Sequence, residues 1–207
     1  MAVDPRGDVL LAFEMNGEAI PRDHGFPVRA VVPGVVGARN VKWVGRVVAA
    51  ADESESHWQR RDYRGFPPNV DWAEVGPLWD TMPSIQAMPV TSAITYARLE
   101  DGVLELKGYA WSGGGRSIIR VDLTTDDGDT WTQADIQERP AAEPNRDWAW
   151  SLWEASIEVG EEVSEAHVAS RAVDDSYNVQ PESAKHLWNL RGVLNNAWGR
   201  KSVKRKD

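Results

Sequence analysis

Four side chains able to carry positive charge, His24, Arg29, Arg39 and Lys42, fall within one short stretch dominated by Gly and Pro. Loops of this composition turn backbone N–H groups toward anions, and a guanidinium adds a planar fork that matches phosphate or sulfur oxyanions. Two readings fit these residues: an anion site and ordinary surface ion pairing. Other chemistries find less support. The four histidines, His24, His57, His167 and His186, form no HxxxH or HxH pair and have no Asp or Glu at ligand spacing, so no all-protein metal site is expected. Cysteine is absent, which excludes disulfides, thiolate metal sites and a cysteine nucleophile within this chain. There is no GxSxG, no P-loop and no GxGxxG after a strand. Gly113-Gly114-Gly115 reads as a plain turn, because no helix follows to complete a phosphate cradle. Asp126-Asp127-Gly128-Asp129 lacks the spacing and closing Glu of a calcium loop and reads as a hairpin turn.

The elements that must position these residues follow from composition and pattern. The chain has 207 residues, 42% hydrophobic and 27% charged, with a net charge of −9. That is globular, and long enough for one large domain or two smaller ones, each burying a core. Residues 1–75 carry a net charge of −2, residues 76–199 carry −11, and the last eight carry +4. An acidic body excludes general nucleic-acid binding, which needs a basic surface to displace counterions. The basic tail, Arg200 to Lys206, reads as a solvated end. No apolar run approaches the length of a membrane span, and Met1–Asp8 has no signal-peptide pattern. Eleven Trp residues point to heavily packed aromatic layers.

Up to Pro68 the chain is irregular. Leu10–Met15 ends at the Asn16-Gly17 turn signal, Val28–Val32 is β-branched, and Val41–Ala51 alternates as a strand with Val41, Trp43, Val47 and Ala49 on one face. Phe66 to Pro89, with five prolines, reads as an extended connector and places a domain boundary within 70–90. Beyond it the pattern is β: Leu104–Trp111, Ser117–Thr125 with Ile119, Val121 and Leu123 inward, Thr130–Ile136, Trp148–Val159 and Ala166–Val173, with Trp188–Val193 and Ala197–Val203 closing the sheet. Six or seven short strands separated by turn signals predict an antiparallel β-sandwich of immunoglobulin type.

Several longer stretches carry a resemblance. Phe26-Pro27-Val28-Arg29, Val32 to Trp43, His57-Trp58-Gln59-Arg60-Arg61-Asp62-Tyr63, Lys107 to Arg116, Ala172 to Pro181 and Trp188-Asn189-Leu190-Arg191-Gly192-Val193-Leu194 resemble, in order, the sulfite oxidase family of molybdenum enzymes, with the His57–Tyr63 stretch similar to its animal-type branch. The resemblance runs from Asp4 to Arg200.

It implies a mainly β chain: an immunoglobulin-like dimerisation domain over 76–207, preceded over 1–75 by the C-terminal part of an α+β molybdopterin-binding domain. The family's molybdenum-binding cysteine has no counterpart here, so the resemblance implies a C-terminal piece of such an enzyme, inactive alone, with haem in a separate N-terminal domain. By resemblance, His24, Arg29, Asn40, Val41 and Lys42 hold the pterin and its phosphate, giving a partial site for the molybdenum-molybdopterin cofactor. Asn40 stands where relatives often have Ser. Tyr63 matches the active-site tyrosine, and Arg191 matches an arginine reaching the sulfite pocket. A homodimer, sulfite as substrate, a cytochrome-type electron acceptor and the mitochondrial intermembrane space are the implied partners and location. A non-catalytic dimerisation module and a fragment of the related nitrate reductase are the alternatives.

Overall fold

A computed structural model describes residues 8–138, 140 and 142–205. The expectations for Met1–Gly7, and for Lys206 in the basic tail, lie outside them. The described chain is mainly β, with every paired strand antiparallel. It divides into two compact units. The first takes the chain up to Met88 together with Trp188–Asn195; the second takes Pro89–Leu187 and the chain from Asn196 onward.

In the first unit, strand β1 (Leu10–Ala12) pairs with β4 (Arg29–Val31), and β2 (Glu14–Met15) and β3 (Glu18–Ala19) form a hairpin. Its Asn16-Gly17 tip has φ of 56° and 82°, the two positive values that a tight two-residue hairpin needs. The rest is short turns plus one helical turn, α1 (His57–Arg60). Val41–Ala51 is not a strand. Trp43 takes φ 55°, which breaks the pleat, and its indole Nε1 donates to the Arg22 carbonyl at 3.0 Å. Only two ladder-like bonds remain, Ala30 N–H to the Val41 carbonyl and Val44 N–H to the Val28 carbonyl, both 2.8 Å. The Pro-rich stretch after Pro68 is no open connector either. Phe66, Val70 and Val75 are buried together, with Leu78, Trp79, Met82 and Leu190 packed on them. Prolines keep this stretch out of regular structure without preventing it from burying apolar surface.

The second unit contains β5 (Thr91–Glu100), β6 (Val103–Trp111), β7 (Ile118–Thr124), β8 (Thr132–Gln133), β9 (Asp135–Ile136), β10 (Ser151–Glu158), β11 (Glu165–Asp174) and β12 (Gly199–Lys204). They form two four-stranded sheets, ordered β5-β6-β10-β9 and β12-β11-β7-β8. One core lies between them. Leu99, Leu104, Leu106, Ala110 and Trp153 come from the first sheet, and Val121, Leu123, Val168, Ala172 and Val203 from the second. The alternation in β6 holds: Leu104, Leu106, Gly108 and Ala110 are all buried. The Asp-Gly hairpin forms, with β7 paired to β8, but the run read as one strand over Thr130–Ile136 is split between β8 and β9 of different sheets. Thr124 Oγ1 donates to the Asp126 carboxylate at 2.6 Å, and Asp126 in turn takes the Thr130 N–H at 2.9 Å.

Two further readings of this unit are corrected, and one strand was missed. Ile119 points outward at 44% exposure, because a bulge lets Asp174 pair with Ile118 directly after Val173 pairs with Arg120. Trp188–Val193 is a turn in the first unit, and only Gly199–Lys204 closes the sheet. Strand β5 carried no recognised signal, although Asp101-Gly102, with φ of 48° and 73°, joins it to β6 as an Asp-Gly hairpin.

Candidate functional site

Two side-chain clusters of the first unit gather the residues singled out in the sequence. The first is organised by Gly25. A 3₁₀ turn over Arg22–His24 stops there because Gly25 takes φ 117°, and the chain then runs into β4. A Cβ on Gly25 would stand 3.0 Å from the Cβ of Arg29 and 3.2 Å from that of Lys42, so only glycine lets these two cationic residues close on the turn. Arg29 donates from Nη1 to the His24 carbonyl at 2.9 Å, and Lys42 Nζ donates to the Asp23 carbonyl at 2.9 Å while lying 4.6 Å from the Trp43 ring. Arg29 and Lys42 are thus brought together on the turn, with His24 joining through its backbone carbonyl.

Asn40 and Val41 serve the same loop in another way. The Asn40 Oδ1 accepts the Val32 N–H at 2.7 Å, and its Nδ2 donates toward the carbonyls of Val36 (3.4 Å) and Val35 (3.5 Å). Its side chain therefore shapes the loop. Val41 contributes its carbonyl to Ala30 and leaves an exposed side chain.

The second cluster starts at α1. The backbone N–H groups of Arg61 and Asp62 both return to the His57 carbonyl, at 2.8 and 3.3 Å. That closure folds Asp62 back over His57, whose Nε2 lies 3.1 Å from Asp62 Oδ2. The other carboxylate oxygen, Oδ1, accepts from Arg191 Nη2 at 2.7 Å. Arg191 is presented by a turn that Asn189 builds: Asn189 Oδ1 accepts the N–H groups of Arg191 (3.2 Å) and Val193 (3.3 Å), and Gly192 takes φ 61°. The guanidinium carbon lies 5.7 Å from the Trp79 ring and 6.0 Å from the Trp72 ring.

Tyr63 follows Asp62. Its carbonyl accepts the Ile85 N–H at 2.7 Å, and its ring sits 5.9 Å from the Arg39 guanidinium and 6.3 Å from Trp58. Arg39 donates to the carbonyls of Trp58 (3.0 Å) and Ile85 (3.3 Å), and burial lowers its pKa from the ordinary arginine value. Behind them Arg64, 2% exposed, donates to the carbonyls of Gln59 and Met82 and pairs with Glu53 at 2.9 Å.

Sequence reasoning missed Gly25, Asp62, Trp72 and Trp79 as members of these clusters. A glycine directly after His24 was the available signal for the first. Nothing local marks Asp62 as the partner of a residue 129 positions away.

The comparisons with known proteins bear on the family. The model of the Mo-co oxidoreductase dimerisation domain matches residues 82–206, and that of the oxidoreductase molybdopterin binding domain matches residues 1–58. The chain is 55% identical over 206 residues to "Sulfite oxidase, mitochondrial" of Mus musculus, covering 98% of this chain and 37% of that protein. The chain belongs to the sulfite oxidase family. Within that family it is also 44% identical over 209 residues to the sulfite oxidase of Arabidopsis thaliana, covering 96% of this chain and 52% of that one. Its resemblance extends to the nitrate reductase [NAD(P)H] of Hordeum vulgare, 41% identical over 220 residues, with coverage of 98% and 24%. Among solved structures it matches the sulfane dehydrogenase SoxCD from Paracoccus pantotrophus with a TM-score of 0.77 and 34% identity, covering 95% of this chain and 49% of that one. The sulfite oxidase family chain described here therefore spans little more than a third of the length of its mouse relative.

The family implies a molybdenum-molybdopterin cofactor, and the Gly25 cluster fits part of such a group. The Nε of Arg29 is buried and has no hydrogen-bond partner among the described residues. A buried guanidinium nitrogen left unpaired costs free energy until an acceptor arrives. An anionic, oxygen-rich ligand supplies such an acceptor.

Proposed function

We propose that this chain supplies part of the pterin site, part of the sulfite pocket and the dimer interface of a molybdenum-dependent sulfite oxidase. Arg29 Nε, buried and without a partner among the described residues, carries the reading, with Lys42 packed on the same glycine turn. His24, Arg29 and Lys42 hold the pterin and its phosphate, with Asn40 and Val41 shaping the loop that presents them. When bound, the cofactor supplies the oxygen atom that turns sulfite into sulfate and takes up two electrons. Arg191 faces the sulfite oxyanion with the guanidinium nitrogens that Asp62 leaves available, and Tyr63 donates its hydroxyl to the same pocket.

The division of labour keeps residues 1–75 as molybdopterin-binding portion and 76–207 as an immunoglobulin-like domain that forms a homodimer, with residues 76–88 and 188–195 packed in the first unit. The complete enzyme passes its electrons to a cytochrome-type acceptor through a haem domain, in the mitochondrial intermembrane space. With no cysteine, this chain has no thiolate to anchor the metal and does not oxidise sulfite by itself.

The test is cofactor content. The chain is purified from a host that makes molybdopterin, and pterin and molybdenum are each measured per chain. Measurable pterin without stoichiometric molybdenum is expected, with the pterin lost in Lys42→Ala. Stoichiometric molybdenum together with sulfite oxidation by the chain alone overturns the reading.

A further inference from the structure

His57 has no part in the scheme above, yet it holds the second oxygen of the carboxylate that orients Arg191. Resting on the reading that Arg191 meets the sulfite oxyanion, we infer that His57 is a positioning residue that acts through Asp62.

The two tryptophans near Arg191 restrain the guanidinium without setting its direction. Ring faces attract the cation from 5.7 and 6.0 Å but are indifferent to rotation of the planar group about its own axis. The 2.7 Å bond to Asp62 Oδ1 is what decides which nitrogen points at the carboxylate and which remain for a ligand. That bond is only as fixed as the carboxylate. The terminal torsion of Asp is broad and roughly two-fold, so a carboxylate held at one oxygen can swing. His57 Nε2, 3.1 Å from Oδ2, holds the other oxygen.

The imidazole has one ring neighbour among the described residues. Its ring stands edge-on to Trp58, with centroids 5.6 Å apart and planes at 90°. Its backbone carbonyl takes the N–H of both Arg61 and Asp62, so the residue that orients the carboxylate also sets the turn that carries it. The chain His57–Asp62–Arg191 fixes the direction of a guanidinium 134 positions from its first member.

The experiment follows the Arg191 guanidinium by nuclear magnetic resonance in the ¹⁵N-labelled 207-residue chain, measuring its rotation about the Nε–Cζ bond. Loss of this contact on the carboxylate should raise that rate about fivefold in His57→Ala. His57→Gln, which keeps an N–H at nearly the same reach, should restore the slow rate. His57 is mostly exposed, so the melting temperature should stay unchanged in both variants. An unchanged rotation rate in His57→Ala, or fast rotation in His57→Gln equal to that of Ala, overturns the inference. Inorganic sulfate is the probe for the underlying reading. Sulfate that shifts the Arg191 resonances of the unsubstituted chain supports the oxyanion role, and sulfate that leaves them in place removes that role while the rotation rates still decide the part of His57.

Discussion

Gly108 leaves the space that Trp153 fills. A Cβ at Gly108 would stand 2.2 Å from Trp153 Cζ2 and 2.1 Å from the Ala93 carbonyl oxygen, distances at which something must move. Trp153 is 1% exposed and sits in the centre of the core between the two sheets, while the Ala93 carbonyl belongs to the adjacent strand. Neither can give way without opening a ladder or expelling an indole. Gly108→Ala should therefore destabilise the second unit by about 3 kcal/mol, on the order of 10 °C in melting temperature. Thermal unfolding followed by near-ultraviolet circular dichroism of Trp checks it. A melting temperature within two or three degrees of the parent, a shift of about 0.5 kcal/mol, contradicts it.

Asp174 should make the second unit sensitive to acid. It is fully buried and accepts from Ser112 Oγ at 2.8 Å, Arg116 Nε at 2.9 Å, the Asn178 side chain, and the backbone N–H groups of Ser176 and Asn178. Burial pushes its carboxyl up, but the hydrogen bonds from Asn178, Ser112 and the backbone together outweigh it and hold the group below the usual carboxylate value. The folded state thus takes up this proton at lower pH than the unfolded chain, whose Asp titrates near 3.9. The stabilisation is complete above that value and is lost as pH falls through the folded one. Asp174→Asn should cost about 2 kcal/mol at pH 7 and should flatten the fall in stability below about pH 4. Urea unfolding at pH 7, 5 and 3 measures both.

Asp126 should behave differently, because it stands at the exposed hairpin. The Thr124 hydroxyl and then Thr130 hold its carboxyl far below the ordinary value. Thr124→Val removes the leading donor and should bring the titration of Asp126 back toward that of an ordinary aspartate. Carboxyl ¹³C shifts recorded against pH report this directly, and an unmoved titration contradicts it.

Gly25→Ala should separate cofactor loading from folding. The φ of 117° and the Cβ contact with Arg29 strain the turn by about 1 kcal/mol, which the first unit absorbs by displacing Arg29 and Lys42. Pterin content should then fall about tenfold while the melting temperature of the second unit stays unchanged. Equal pterin in Gly25→Ala and the parent would falsify the proposed cradle.

Joined to the cysteine-bearing half of a relative, the chain should divide binding from turnover. Arg191→Met should raise the sulfite KM about ten- to a hundredfold, since one charge-assisted contact is worth about 1.5–3 kcal/mol. Tyr63→Phe, which removes one hydroxyl and little shape, should lower kcat more than it raises KM. Steady-state kinetics decide, and an unchanged KM in Arg191→Met would show that the arginine serves only its pair with Asp62.

Turn chemistry carried most of what the sequence revealed of the fold. Asn16-Gly17 and Asp127-Gly128 mark hairpins because few other residues accept their backbone angles, and the alternation around Leu104 and Leu106 marks a half-buried strand because side chains alternate between faces. The same logic fails where a single residue resets the phase. Trp43, with φ 55°, turns an alternating run into a loop, and the bulge opposite Ile119 sends an inward residue out. At the candidate site, local crowding of His24, Arg29 and Lys42 was visible, since those residues are near in sequence as well as in space. The pairing of Asp62 with Arg191 was not, because it depends on how the Asn189 turn is delivered to the first unit.

The path of the chain through Trp188–Asn195 bears on how such a protein can be cut and recombined. The chain crosses between its units three times, after Met88, after Leu187 and after Asn195. A gene break at the first crossing would strip the first unit of Leu190, which packs on the Phe66, Val70 and Val75 cluster, and of the only guanidinium held by Asp62 among the described residues. Taken as continuous stretches, the first unit lacks Trp188–Asn195 and the second is interrupted by it. A transplant of the first unit keeps Leu190 and Arg191 only if it also carries this loop of eight residues.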